Sequence, residues 1–151
     1  MTDNVTKIII VDDHPFVRQS MKRVIEKEQD LSVIREAGSA EEAIRLICRE
    51  EPDLVIVDIS LESEASGLDL IKTLRVRFSR IKTLVLSMHD ENIYAERAFR
   101  AGAHGYITKK EAPGGIIDAI RTVMKGKPYL RGSISMALRD RLFKEKAMDE
   151  K

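Results

Sequence analysis

Two kinds of segment alternate along the chain. Short apolar runs read as strands: residues 7–11 (KIIIV), 31–37, 54–57 (LVIV), 83–86 (TLVL) and 105–107 (GYI). Most are apolar throughout, without the alternation of a strand that has one wet face, so they predict strands covered on both sides. Between them the apolar positions recur at helical spacing. Val17, Met21, Val24 and Ile25 follow Pro15, which suits a first helical turn. Ser39 and Glu42 form a capping box ahead of Ala43, Ile44 and Ile47. Leu68, Ile71 and Leu74 mark a third helix, and residues 91–101 a fourth, ended by Gly102. Ile116, Ile117, Ile120, Val123 and Met124 mark a fifth that ends near Gly126 and Pro128. Strict strand–helix alternation predicts an α/β domain, a parallel sheet with helices on both faces. After Pro128 the pattern changes. Residues 131–146 read as one more helix, with Ile134, Leu138 and Leu142 on one stripe, followed by a polar tail. The expected organisation is a flexible N-terminus (1–6), a domain (7–127), and a linker helix with tail (128–151) that leads to something absent.

Composition narrows the class. Hydrophobic residues make up 43% of 151, enough for a real core. The 26 Lys+Arg nearly balance 25 Asp+Glu, and a net charge of +1 argues against a chain built to coat nucleic acid. Only one helix follows residue 128, too few for a helix-turn-helix, so no DNA binding is expected of this chain alone. The single cysteine, Cys48, excludes an internal disulfide framework and reads as packing on helix two. No apolar run approaches membrane-spanning length, and the polar MTDNVTK start lacks the apolar core of a signal peptide. The expectation is a soluble cytoplasmic protein with no membrane contact.

The strand ends carry the chemistry. Strand one ends in Asp12 and Asp13, strand three in Asp58, strand four in Ser87, strand five at Thr108 and Lys109. In a parallel sheet these ends open on one edge, so three carboxylates, a hydroxyl and an ammonium should converge. Like charges in one cleft repel, and a hard dication such as Mg²⁺, which prefers carboxylate oxygens and water, compensates them. Such a site suits phosphoryl transfer. A carboxylate can attack phosphorus to give an aspartyl-phosphate, while cationic groups and Ser87 stabilise the equatorial oxygens. Neither a P-loop nor a G-x-G-x-x-G motif is present.

The strings IIIVDDHPFVR, LVIVDIS, LVLSMHD and AGAHGYITK resemble the receiver domains of two-component response regulators over about residues 5–127. The DDHP, SMHD and AGAxGY details are similar to the subfamily that carries a LuxR/FixJ-type helix-turn-helix. The resemblance implies a flavodoxin-like (βα)5 fold, a doubly wound five-stranded sheet of order 2-1-3-4-5. It implies Asp58 as phosphoacceptor, Asp13 as a direct Mg²⁺ ligand, Asp12 as a ligand through water, and the backbone carbonyl of Ser60 as another. Lys109 and Ser87 would bind the phosphoryl group, and Ser87 with Tyr106 would form a hydroxyl–aromatic switch pair. Ser60 and His89 are candidates for setting the phosphate's lifetime. The implied partner is a sensor histidine kinase, with a homodimer possible and DNA contacted only in a longer form. The implied protein is a switch that phosphorylates and dephosphorylates itself, not a conventional turnover enzyme. A stand-alone receiver or a pseudo-receiver acting only as an interaction module is the alternative. A separate phosphatase using Asp58 is disfavoured by the placement of Ser87 and Lys109.

The chain departs from the family at two places. Leu61-Glu62 stands where Met-Pro is common, in a stretch from Asp58 to Gly67 that is one residue longer than usual. Lys110 follows Lys109 where proline is common, so a cis bond there is not carried over. His14, His89 and His104 do not form a metal-ligand spacing; His14 reads as the start of helix one and His104 as structural.

Overall fold

Ile8, Ile9, Ile10 and Val11 are all fully buried, although consecutive strand residues point to opposite faces. Both faces of the sheet are therefore covered. In the computed structural model, which describes residues 4–62, 64–89, 92–130, 140–142 and 144, the odd and even positions feed two separate cores. Ile8 and Ile10 of β1 (Thr6–Val11) join Met21 and Ile25 of α1 (Pro15–Ile25) and Ile116, Ile120 and Val123 of α5 (Ala112–Met124). Ile9 and Val11 join the opposite core. There they meet α2 (Ala40–Glu50), α3 (Glu64–Arg77) and α4 (Asn92–Ala101).

The remaining strands are β2 (Leu31–Ala37), β3 (Leu54–Asp58), β4 (Lys82–Ser87), β5 (Gly105–Thr108) and β6 (Tyr129–Leu130). All pairings are parallel and the sheet order is β2-β1-β3-β4-β5-β6. The flavodoxin-like order 2-1-3-4-5 is present, with one strand more than the sequence predicts. The expected five-stranded sheet is corrected to six because the chain does not leave the domain at Pro128. After Gly126, in the left-handed region at φ +86°, it runs beside β5, pairing Tyr129 with Gly105 and Leu130 with Tyr106. Two residues are too few to show a strand period.

Local chemistry accounts for the helix boundaries. Ser39 caps α2 by accepting a hydrogen bond from the Glu42 amide at 3.2 Å, and the Glu42 carboxylate accepts one from the Gly38 amide at 2.9 Å. Gly102, at φ +124°, ends α4. The third helix starts at Glu64, about one turn before the apolar stripe that reveals it. Gly67 permits this, since a Cβ there would lie 2.1 Å from the Ile59 carbonyl oxygen.

Beyond β6, residues 131–139 lie outside the described residues, and with them Ile134 and Leu138 of the expected last helix. Residues 140–142 and 144 are helical. Leu142 is buried in the core that contains Ala95 and Phe99 of α4, and the Arg141 guanidinium lies 3.3 Å from the Glu96 carboxylate. Arg141 and Leu142 thus pack against α4. Among the described residues, no helix is long and apolar enough to cross a membrane.

Candidate functional site

Parallel pairing brings the carboxyl ends of β1, β3, β4 and β5 to one rim, and the chain turns away from each strand through a side chain that hydrogen-bonds locally. Asp12 Oδ1 accepts the His14 amide at 2.8 Å. Asp58 Oδ1 accepts both the Ser60 amide, at 3.1 Å, and the Ser60 hydroxyl, at 2.9 Å. The Thr108 hydroxyl accepts the Glu111 amide at 3.2 Å, ahead of α5. These turns hold Asp12 and Asp58 with no exposed surface at all.

Asp12, Asp13, His14 and Asp58 each offer a ligand atom, all within 4.8 Å of one another. The Lys109 ammonium reaches in from the end of β5, 3.2 Å from Asp58 Oδ2 and 3.4 Å from Asp12 Oδ2. The contact to Asp12 is an ion pair without hydrogen-bond geometry. Asp12 Oδ2 is buried and accepts no hydrogen bond. Three carboxylates facing one ammonium, with a buried oxygen left unsatisfied, form a donor set that fits a hard dication.

Ser87 ends β4 next to Thr108 of β5, and its carbonyl accepts the Lys109 amide at 2.7 Å. Its hydroxyl oxygen accepts the His89 amide at 2.9 Å. Tyr106 is fully buried, and its hydroxyl donates to the His89 carbonyl. The His89 ring stacks on Tyr94 of α4, with centroids 4.1 Å apart and planes 10° from parallel. Ser87 and Tyr106 thus both hydrogen-bond the backbone of one residue, His89.

The structure brings together every residue singled out from sequence: Asp12, Asp13, Asp58, Ser60, Lys109 and Ser87 at the rim, with His89 and Tyr106 directly behind Ser87. His104 is built into the sheet, its Nδ1 accepting the Thr83 amide at 3.0 Å. Among the described residues no peptide bond is cis. Three contributors escaped the sequence reading. Arg18 of α1 donates to the Asp12 carbonyl at 2.5 Å and to Glu36 at 3.1 Å, fixing the turn after β1. Glu62, in the left-handed region at φ +58°, donates its amide to Asp13 at 3.3 Å. Its carboxylate accepts the Ala40 amide at 2.9 Å, tying the atypical loop to the start of α2. His14 does start α1, as expected, yet its ring also lies 3.0 Å from both Asp12 Oδ1 and Asp13 Oδ1. The DDHP string was the one available signal for it.

The class that this rim and sheet define is a doubly wound parallel α/β domain with a buried, lysine-paired carboxylate cluster at its carboxyl edge. Residues 8–121 match the response regulator receiver domain, and the chain belongs to that family. It is 31% identical over 144 residues to the oxygen regulatory protein NreC of Staphylococcus haemolyticus, covering 95% of this chain and 66% of that protein. It is 35% identical over 131 residues to the transcriptional activator protein ExaE of Pseudomonas putida, covering 87% of this chain and 61% of the relative. The chain spans about three-fifths of the length of such relatives. Among solved structures it resembles a LuxR-family two-component response regulator from Aurantimonas sp. SI85-9A1, at 31% identity and a TM-score of 0.79. That match covers 95% of this chain and 99% of the other.

Proposed function

We propose that the chain is the phosphorylation-controlled receiver of a cytoplasmic transcription regulator, with Asp58 accepting a phosphoryl group from a sensor histidine kinase. The observation that carries this is the setting of Asp58. It is fully buried, central to the acidic cluster, and held on opposite oxygens by Ser60 and Lys109. An ionised carboxylate has about four acceptor positions. Ser60 N and Ser60 Oγ occupy both positions on Oδ1 and Lys109 Nζ one on Oδ2, so with Mg²⁺ also bound one of these donors would have to give way for attack on phosphorus. The Asp58–phosphorus bond forms as the donor's bond to phosphorus breaks, and the donor leaves with that electron pair.

Asp13, Asp58 and the Ser60 carbonyl would hold Mg²⁺, with Asp12 acting through water. When bound, the ion neutralises charge on the phosphoryl oxygens. Lys109, already between Asp12 and Asp58, is placed to follow the charge from carboxylate to phosphoryl group. The Ser87 hydroxyl can turn its proton toward a phosphoryl oxygen, a bond worth ~1.5–3 kcal/mol to a charged acceptor. Its hold on the His89 amide would then change, and Tyr106 and α4 with it. In this reading the receiver comprises residues 7–127 together with β6 (Tyr129–Leu130), and residues 1–6 are its N-terminal extension. DNA contact would belong to a longer form, while a homodimer could be made by this chain itself.

Incubation with Mg²⁺ and acetyl phosphate should add one phosphoryl group per chain by intact mass, and Asp58→Asn should add none while keeping its fold. Label on another residue, or on the Asp58→Asn variant, would sink the assignment.

A further inference from the structure

We propose that Glu62 is a positioning residue for Asp13: its carboxylate anchors a left-handed stretch of backbone on the first amide of α2, and that backbone holds its own N–H on the Asp13 carboxylate. The proposal rests on the metal-site reading above and adds to it the residue that orients one of the ligands. Two hydrogen bonds leave Glu62 in different directions. Its amide donates to Asp13 Oδ2 at 3.3 Å. Its Oε1 accepts the Ala40 amide at 2.9 Å, where α2 begins.

The backbone of Glu62 is unusual for its residue type. Among the described residues two that are not glycine have positive φ, Glu51 at +49° and Glu62 at +58°. Glu51 is the C-cap of α2, where left-handed backbone is common. Glu62 ends no helix. It follows a turn closed by the Leu61 amide on the Asp58 carbonyl at 3.0 Å, and α3 begins two residues later at Glu64. Leu61 is fully buried, so the chain reaches Glu62 from a fixed point. Rotation about the N–Cα bond then sets the angle between the Glu62 amide and its side chain. At +58° the amide meets Asp13 while the carboxylate reaches Ala40. A negative φ would separate the two directions, and one bond would be lost. Leu61-Glu62 stands where Met-Pro is common, and a proline has no N–H to donate and a φ locked near about −65°.

Asp13 is the acid that most needs such a partner. Its side chain is 36% exposed, whereas Asp12 and Asp58 have no exposed surface, so packing fixes it least. A ligating carboxylate is oriented by the hydrogen bonds it accepts, and a carboxylate already ordered loses less freedom when an ion arrives. The Glu62 side chain is itself exposed, so solvent and salt screen its charge, and position is what it contributes.

Calorimetric titration of the whole chain with Mg²⁺ tests this, together with the carboxyl-carbon NMR resonance of Asp13 in metal-free protein. Glu62→Ala keeps the amide but loses the anchor, and should bind Mg²⁺ about tenfold more weakly, the scale on which outer-shell partners act. Glu62→Pro loses the amide as well and should bind no better than Glu62→Ala. The Asp13 resonance should move in both. Glu62→Gln retains an oxygen acceptor for the Ala40 amide without the charge, and should match the parent in affinity and in resonance. A loss in Glu62→Gln equal to that in Glu62→Ala would make charge the cause and overturn the proposal. Parent-like affinity in Glu62→Pro would overturn it too, as would a loss that tracks a fall in urea midpoint with the Asp13 resonance unmoved. Asp13→Ala should abolish Mg²⁺ binding. If it does not, the metal-site reading fails, and the role of Glu62 fails with it.

Discussion

A single residue, His89, links Ser87 to Tyr106 through its backbone. The His89 amide donates to one and its carbonyl accepts from the other, while the ring of the same residue stacks on Tyr94 of α4. In the proposed function, a shift of Ser87 toward a phosphoryl oxygen would pull on the His89 amide and, through the same residue, on the bond to Tyr106. If Asp58 is the acceptor proposed above, Ser87→Ala should still take up phosphate there, since Asp58 and Lys109 remain. It should not show the phosphate-dependent chemical-shift changes of α4 and α5 that the parent shows with beryllofluoride. Full shifts in the variant would remove Ser87 as the coupling element. The acids, Lys109 and Ser87 were legible in sequence because a strand end fixes where a residue opens, whatever loop follows. Arg18 and Glu62 were not legible. Arg18 acts from a helix onto a neighbouring strand's carbonyl, and Glu62 acts through a left-handed backbone that no spacing rule predicts.

At the scale of elements, the β3–α3 connection shows how closely the loops are constrained. Ile59, Leu61 and Gly67 are buried, and the first turn of α3 rests on the Ile59 carbonyl. Gly67→Ala would drive a methyl group into that oxygen. The expected cost is about 1–3 kcal/mol, the usual scale of overpacking, read as a lower urea midpoint at unchanged slope. Because Ser60 lies in the same connection, the variant should also accept phosphate more slowly. Strands and helix stripes were readable from the chain because burial imposes a period on them. Helix starts and β6 were harder. The first turn of α3 precedes its apolar stripe, and Tyr129–Leu130 is shorter than any period.

Across the whole molecule, the C-terminal segment and the opposite rim of the sheet are separate sources of stability. Leu142 sits in the core beneath α4, so Leu142→Ala should cost roughly 2–5 kcal/mol by urea unfolding, if that core closes no better than most. At the amino ends of the strands, the Arg121 guanidinium of α5 binds Asp30 at 2.8 Å and Glu28 at 2.9 Å. The hydrogen bond from Arg121 holds the Asp30 carboxyl below its ordinary value of 3.8. A depressed carboxylate contributes stability above its unfolded value and loses it as pH falls through the folded one. The parent's stability should therefore drop as pH falls below about 4, and Arg121→Ala should flatten that part of the curve, as checked by urea midpoints across the range. This clasp and the acidic rim stand at opposite ends of the strands, roughly 17–20 Å apart. Among the described residues the two ends share no side-chain partner, and the clasp is solvent-exposed while Asp12 and Asp58 are buried. Substitutions around Arg121 should therefore move the urea midpoint slightly while leaving the geometry of Asp12, Asp13 and Asp58 unaltered.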